Sequence, residues 1–476
     1  MKQTNTNHTL QKGIDIGWLI WLGITGVIAA YTAGIFLLSG GTTPSLCIRA
    51  QTPATFAQTF GCTGLVWLTF GTALALLKQP TLRAQHCMTI ICSAALLILY
   101  INFMREQFHT WDVLAYAKGA VNLYNHEPFH NHYMYPPLLA TLCQPFLWLG
   151  ISSDALAVGL WYLNGAGLVL FFLQLTKILK AYGFGDRIAL YAPFLFLLFN
   201  APTLRTLLFG QVNFYVITLI LIAYSTYSRN KLLSAIALAF AVHLKASPII
   251  LVLPFLYVCD IKWIAYFATS MLVLFALTFG FYGWAPFASF LANAETIYSA
   301  NGIQLRDCSI DNVIRSVAKA CGTDGTRWVL LFKLPLLIGI VLGSFYSIKQ
   351  NPWKNRRDAI GTVLNSLPLL LFMMVFASPI VWEHHFIFLS LPFILLIKKM
   401  RTTPEWVMYG FAYLFIFLLP TFDFFPLSFC RLAGAGLLFY LCIKTSKYNP
   451  THWFKALSNK CDRSIFCGDS PQCLNG

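Results

Sequence analysis

The chain has 476 residues, of which 58% are hydrophobic and 11% charged, with a formal net charge of +16. A soluble domain carries about 25% charged residues, so these charges cannot cover a water-exposed surface. Apolar runs of roughly 17–23 residues, long enough to cross a bilayer as helices, alternate with short basic segments. The excess of Lys and Arg therefore reads as membrane topology and not as a nucleic-acid footprint. The expected class is all-α, a polytopic bundle in a lipid bilayer, without a soluble domain or an internal repeat.

Lys2 and Lys12 precede an apolar run over 17–38, and a second run over 61–77 ends at Lys78, Arg83 and His86. The first run is long and has no small-residue cleavage site, so it is expected to be retained. Positive residues count as cytoplasmic, which puts the 78–86 loop inside. A third run over 87–104 then places residues 105–135 outside. Residues 136–150 are apolar but short, and Pro145 interrupts them, so they are expected at the outer interface. Residues 155–176 cross inward, 188–204 outward, and 212–227 back to Arg229 and Lys231. Lys245 separates two short runs, 232–244 and 248–258, and Pro248 suits a first helical turn.

Residues 263–281 lead to a large outer loop, 282–326, and 328–348 return to the densest basic loop, Lys349, Lys354, Arg356 and Arg357. Residues 360–376 exit, 378–385 lie at the outer face, and 386–397 return to Lys398, Lys399 and Arg401. Runs over 406–419 and 427–442 leave a basic tail from Lys444. The count is about fourteen spans with both ends inside. The organisation expected is a tail and two-helix hairpin (1–86), a membrane core (87–400), a C-terminal helix pair (401–443) and a cytoplasmic tail (444–476).

Ionisable residues near a bilayer are costly and usually face a cavity or a partner. Four clusters stand out. Asp112 and Tyr116 share a helix face at i,i+4 spacing. A carboxylate among aromatic rings suits a general base acting on a sugar hydroxyl, and equally a helix cap. The segment from His126 to Tyr135 adds three histidines. Gly210-Gln211-Val212-Asn213 offers a glycine for close backbone approach and two amides, or simply one helix end and the next start. Lys245 either snorkels to the surface or holds a phosphate ester. In Ser378-Pro-Ile-Val-Trp382-Glu383-His384-His385, neighbouring imidazoles point about 100° apart on a helix, which suits hydrogen-bond donation better than one shared metal.

Taken together and in this order, these clusters resemble the C-type glycosyltransferases that use polyprenyl-phosphate sugars. The set comprises Asp112, Tyr116-Ala117, Tyr133-Met134-Tyr135-Pro136-Pro137, Gly210-Gln211-Val212-Asn213, Lys245-Ala246-Ser247-Pro248 and the run from 378 to 385. They are most similar to glycosyltransferase family 87, the branch with polyprenyl-phosphomannose α-mannosyltransferases and arabinofuranosyltransferases. The resemblance covers roughly residues 88–400. It implies a helical membrane core with outer juxtamembrane helices, residues 136–150 being one. It implies Asp112 as base, with Lys245, His384, His385 and Arg205 around the donor phosphate. Tyr116, Tyr135, Gln211, Asn213, Trp382 and Glu383 are then expected at the substrates. Glu106 is a rival acid.

The implied reaction moves a hexose or pentose, mannose-like, from a polyprenyl-phosphate donor to a lipid or glycan acceptor. No metal, cofactor or nucleic acid is expected, and the site faces away from the cytoplasm, in a bacterial inner membrane. A transporter or flippase of a lipid-linked or small polar solute is the alternative from another class. It would show inverted repeats with polar groups near the midplane, and no repeat is evident. A glycan ligase or polymerase differs mainly in donor. The thirteen Cys lack the close pairs of a zinc site. Pairing of Cys308 with Cys321, or of Cys47 with Cys62, is left open.

Overall fold

The computed structural model describes residues 13–23, 25–26, 111–131, 133–198, 200–299, 307–323, 325–350, 359–419 and 427–446. Every regular element among them is helical. Helix α1 (Gly13–Gly23) is followed by α2 (Trp111–Tyr124), α3 (Leu138–Leu142), α4 (Gln144–Trp148), α5 (Ser153–Ala181), α6 (Asp186–Leu198) and α7 (Ala201–Phe209). Next come α8 (Asn213–Thr226), α9 (Lys231–Leu244), a 3-10 turn (Ser247–Val252), α10 (Leu253–Tyr257), α11 (Ile261–Tyr282) and α12 (Ala285–Ser299). The chain continues through α13 (Ile310–Ala320), α14 (Gly325–Gln350), α15 (Ala359–Ala377), a 3-10 turn (Glu383–Leu389) and α16 (Ser390–Leu396). It closes with α17 (Thr403–Tyr413), a π-helical turn (Leu414–Leu418) and α18 (Cys430–Ser446).

Among the described residues, three helices are long and apolar enough to cross a bilayer: α5, α11 and most of α15. A fourth is reached if α6 and α7 count as one bent span. The structure is thus that of a helical membrane protein. The expected count of about fourteen draws on runs that extend outside the described residues, and one described run is broken. Residues 188–204, expected as one span, bend by 63°. Asn200 causes the break: its side chain accepts from Thr203 N at 3.0 Å, capping a new helix that opens on Ala201 and Pro202. Residues 136–150 form two five-residue helices, α3 and α4, too short to cross, as expected. The outer loop 282–326 is also more ordered than a loop. It holds α12 and the amphipathic α13, which Ser309 caps through Asn312 N at 3.1 Å. Asp311 ties α13 to Lys333 of α14 at 2.5 Å.

Ion pairs join several of the helix ends. At one end, Lys180 pairs with Asp186 at 2.9 Å. Lys231 pairs with Asp260 at 2.6 Å, Lys444 with Glu405 at 3.2 Å, and Lys398 bonds Gly183 O. Lys245 lies at the end of α9 opposite Lys231, and Glu383 in the 3-10 turn that leads into α16, opposite Lys398; Asn213 opens α8. The hairpin expected within 1–86 lies, beyond α1 and residues 25–26, outside the described residues, as do Glu106, His132, Cys47 and Cys62. Cys308 is buried and donates to Ser428 O at 3.4 Å, Cys321 is exposed, and the two are not joined in a disulfide.

Candidate active site

Asp112 stands in the first turn of α2, partly reachable from the surface yet deep among packed side chains. Burial lifts its carboxyl to about 6, against the opposing pull of a Gln211 hydrogen bond and the Lys245 charge. One turn on, Tyr116 is almost fully buried, its hydroxyl donating to Gln211 Oε1 at 3.1 Å. Tyr135 donates to the same oxygen at 3.2 Å, and the two phenol rings meet edge to face at 4.7 Å. Two hydroxyl donors on Oε1 settle the amide orientation, leaving Nε2 for Asp112.

Gly210 makes this convergence possible. It closes α7 in the left-handed region, φ 64°, where glycine carries no steric cost. A Cβ there would lie 1.7 Å from Val113 Cγ2, next door to Asp112. Gly210 ends a helix and Asn213 begins the next, as one sequence reading had it, and the turn between them brings Gln211 to Asp112.

A cationic half adjoins. Lys245, in the break between α9 and the following turn, donates to Asn213 Oδ1 at 2.9 Å. Asn213 in turn donates to His384 O at 3.3 Å. Burial lowers Lys245 to about 7, with Asp112 opposing. Burial first, then the Lys245 charge, holds His384 and His385 well below the usual imidazole range. The Trp382 N–H donates to His385 Nδ1 at 2.9 Å, so a neutral His385 carries its proton on Nε2 and can donate there. Arg205 lies 5.7 Å from the Phe209 ring centre, and its Nε pairs with Glu383 Oε2 at 3.3 Å. The structure thus gathers every residue singled out for the site at one end of the bundle. Gln211 is 1% exposed, with its amide engaged by Tyr116, Tyr135 and Asp112.

Three contributors went unnoticed in the sequence. Asn293 of α12 donates to His130 O and Tyr133 O, each at 3.0 Å, and Ser289 accepts from Phe129 N at 2.8 Å. His130 Nε2 lies against Ala115 O at 3.1 Å. These bonds give His130, in the histidine-rich loop, a structural role in presenting Tyr135. Asp307 accepts from Val381 N at 2.7 Å and Ser309 N at 2.9 Å, pinning the segment before Trp382. Its carboxyl is raised to about 6, burial outweighing these bonds. Arg431 bonds Glu383 at 2.5 Å. Its signal was a lone Arg inside the apolar run 427–442, where a charge needs a partner.

Comparison with known proteins gives a relative and a family. GPI mannosyltransferase 1 of Trypanosoma brucei brucei (strain 927/4 GUTat10.1) is 32% identical over 174 residues, 33% of this chain and 37% of that protein. The chain therefore matches little more than a third of that relative's length. The pattern of glycosyltransferase family 87 matches residues 133–379, more than half of the chain, and the chain belongs to glycosyltransferase family 87.

Proposed function

We propose that this membrane glycosyltransferase moves a mannose-like sugar from a polyprenyl-phosphate donor to a lipid or glycan hydroxyl on the non-cytoplasmic face. The observation that carries the proposal is the junction of a raised carboxylate, Asp112, with a phosphate-seeking half built from Lys245, Arg205 and His385. Asp112 takes the acceptor hydroxyl proton as that oxygen attacks the anomeric carbon. The bond from that carbon to the phosphate oxygen breaks, and the polyprenyl phosphate leaves with the bonding pair. Its growing negative charge is met by Lys245, Arg205 and the His385 Nε2 donor. Attack opposite the leaving group inverts the anomeric centre. Gln211, Tyr116 and Tyr135 orient the base, Asn213 orients Lys245, and Trp382 with Glu383 borders the donor.

The basic loops of the sequence support the non-cytoplasmic face. The site occupies the helix ends opposite Lys231, Lys398 and Lys444, and basic ends are cytoplasmic. The about fourteen spans expected from the whole sequence accord with this orientation. The name of the trypanosome relative supports mannose. Among the described residues the site's polar groups gather at one end of the bundle, which favours transfer over a transport path. The test incubates the membrane-embedded protein with polyprenyl-phosphate mannose, or with a nucleotide sugar, and identifies the product by mass. Transfer from the nucleotide sugar alone would reject the donor.

A further inference from the structure

Arg431 has no role in the chemistry above, yet its placement is costly. It has no exposed surface. It sits in the first turn of α18, where the helix dipole disfavours a cation, and its Nε has no hydrogen-bond partner among the described residues. The guanidinium is held by four acceptors. Three are carbonyls at the end of the π-helical turn: Phe415 O at 3.3 Å, Ile416 O at 3.2 Å and Leu419 O at 2.6 Å. These lie at or just past the end of that helix, where carbonyls lack backbone donors. The fourth is Glu383 Oε1 at 2.5 Å, and the other oxygen of Glu383 faces Arg205 Nε at 3.3 Å.

Glu383 is therefore divided between two arginines. Held by Arg205 alone, its carboxylate would cancel the charge of a side chain that this reading places at the donor phosphate. Shared with Arg431, the trio carries a net charge of +1. A sugar lipid joined through a phosphodiester carries one negative charge, so the trio matches it, and protonated Lys245 meets the second charge that grows as the sugar departs. We infer that Arg431 is a positioning residue: by holding one oxygen of Glu383 and the helix end behind it, it keeps Arg205 available to the donor phosphate. This rests on the polyprenyl-phosphate reading given above.

A double-mutant cycle in membranes, with polyprenyl-phosphate mannose varied, tests it. Arg431→Met leaves Glu383 to Arg205, and donor KM is expected to rise on the order of tenfold, within the coupling shown by contacting charged residues. Adding Glu383→Gln in the same chain removes the captor, and most of that loss is expected to be recovered. Losses that multiply in the double variant would mean that Arg431 only caps the π-helical turn, and would overturn the inference. Should Arg431→Met fail to accumulate, Arg431→Lys replaces it: a single ammonium cannot reach the carboxylate and three carbonyls together, and the same rescue by Glu383→Gln is required. The wild type is the control that separates the two ideas. If it makes no product from this donor, the donor assignment falls and this inference with it. If the wild type transfers and the cycle is additive, only the role of Arg431 falls.

Discussion

Replacing Asp112 with asparagine separates two consequences of its position. The carboxyl is raised from about 3.8 to about 6 because burial disfavours its charge. Keeping it ionised above pH 7 therefore costs the fold on the order of 3 kcal/mol. The sign follows from linkage: between about pH 4 and 6 the folded chain binds the proton that the unfolded chain has released, so stability falls as pH rises through that window and stays low above it. Asparagine keeps the size and the oxygen that accepts from Gln211 but has no charge to desolvate. Asp112→Asn is expected to melt above the wild type at pH 7.5, with the gap narrowed to about a third by pH 4.5. Asp307, also raised to about 6, is common to both proteins and cancels in the comparison. Transfer is expected to fall at least about 100-fold, the lower range of a general base. Melting by tryptophan fluorescence in detergent and product formation in membranes give the two readouts. A variant that transfers at a tenth of the wild-type rate, or melts below the wild type at pH 7.5, would refute the reasoning.

Three further outcomes are expected. Because Asp112 must be deprotonated and Lys245 protonated, kcat/KM should follow a narrow bell with limbs near 6 and 7. Lys245→Met should abolish the alkaline limb and move the acid limb upward, and a flat profile between pH 5 and 9 would contradict this. Gly210→Ala places a methyl 1.7 Å from Val113 Cγ2 on a backbone with φ +64°. It should cost at least about 2 kcal/mol from overpacking and left-handed strain, read as a lower melting temperature with transfer lost. Asn293→Ala removes the donor shared by the His130 and Tyr133 carbonyls, a loss of about 1–3 kcal/mol. It should raise acceptor KM while leaving the pH limbs in place, and a shifted limb would show that Asn293 touches the acid directly.

What could be read in the sequence was local. The short length of 136–150, the helix stop at Gly210 and the break at Lys245 each follow from a few neighbouring residues, and each reappears in the structure. The bend at Asn200 was legible in principle, since an Asn before Ala-Pro is a strong helix start, but the apolar run on both sides hid it. Asn293, Asp307 and Arg431 were not legible because their partners are remote. Asn293 acts on carbonyls some 160 residues earlier, and Arg431 on a carboxylate 48 residues away. Hydrophobic periodicity says which face is buried and carries no information on which carbonyl a buried amide will meet.

The family match covers 133–379, which holds Tyr135, Arg205, Gln211, Asn213 and Lys245 and leaves out Asp112, His384, His385 and Arg431. The match thus spans much of the scaffold and these positions of the proposed cationic half, while the proposed base lies before it. What supports that base is the amide of Gln211. Its oxygen is occupied by two tyrosine hydroxyls, so its N–H group can only serve an acceptor, and Asp112 is the acceptor beside it. A leucine at 211 would take from Asp112 its amide donor and from the Tyr116 and Tyr135 hydroxyls their shared acceptor, leaving the tyrosines to bond each other. The carboxyl of Asp112 would then rise further, because the bond that now lowers it is gone. Gln211→Leu should therefore shift the acid limb of kcat/KM upward, and a variant that lowers the rate with the limb unmoved would place the base elsewhere.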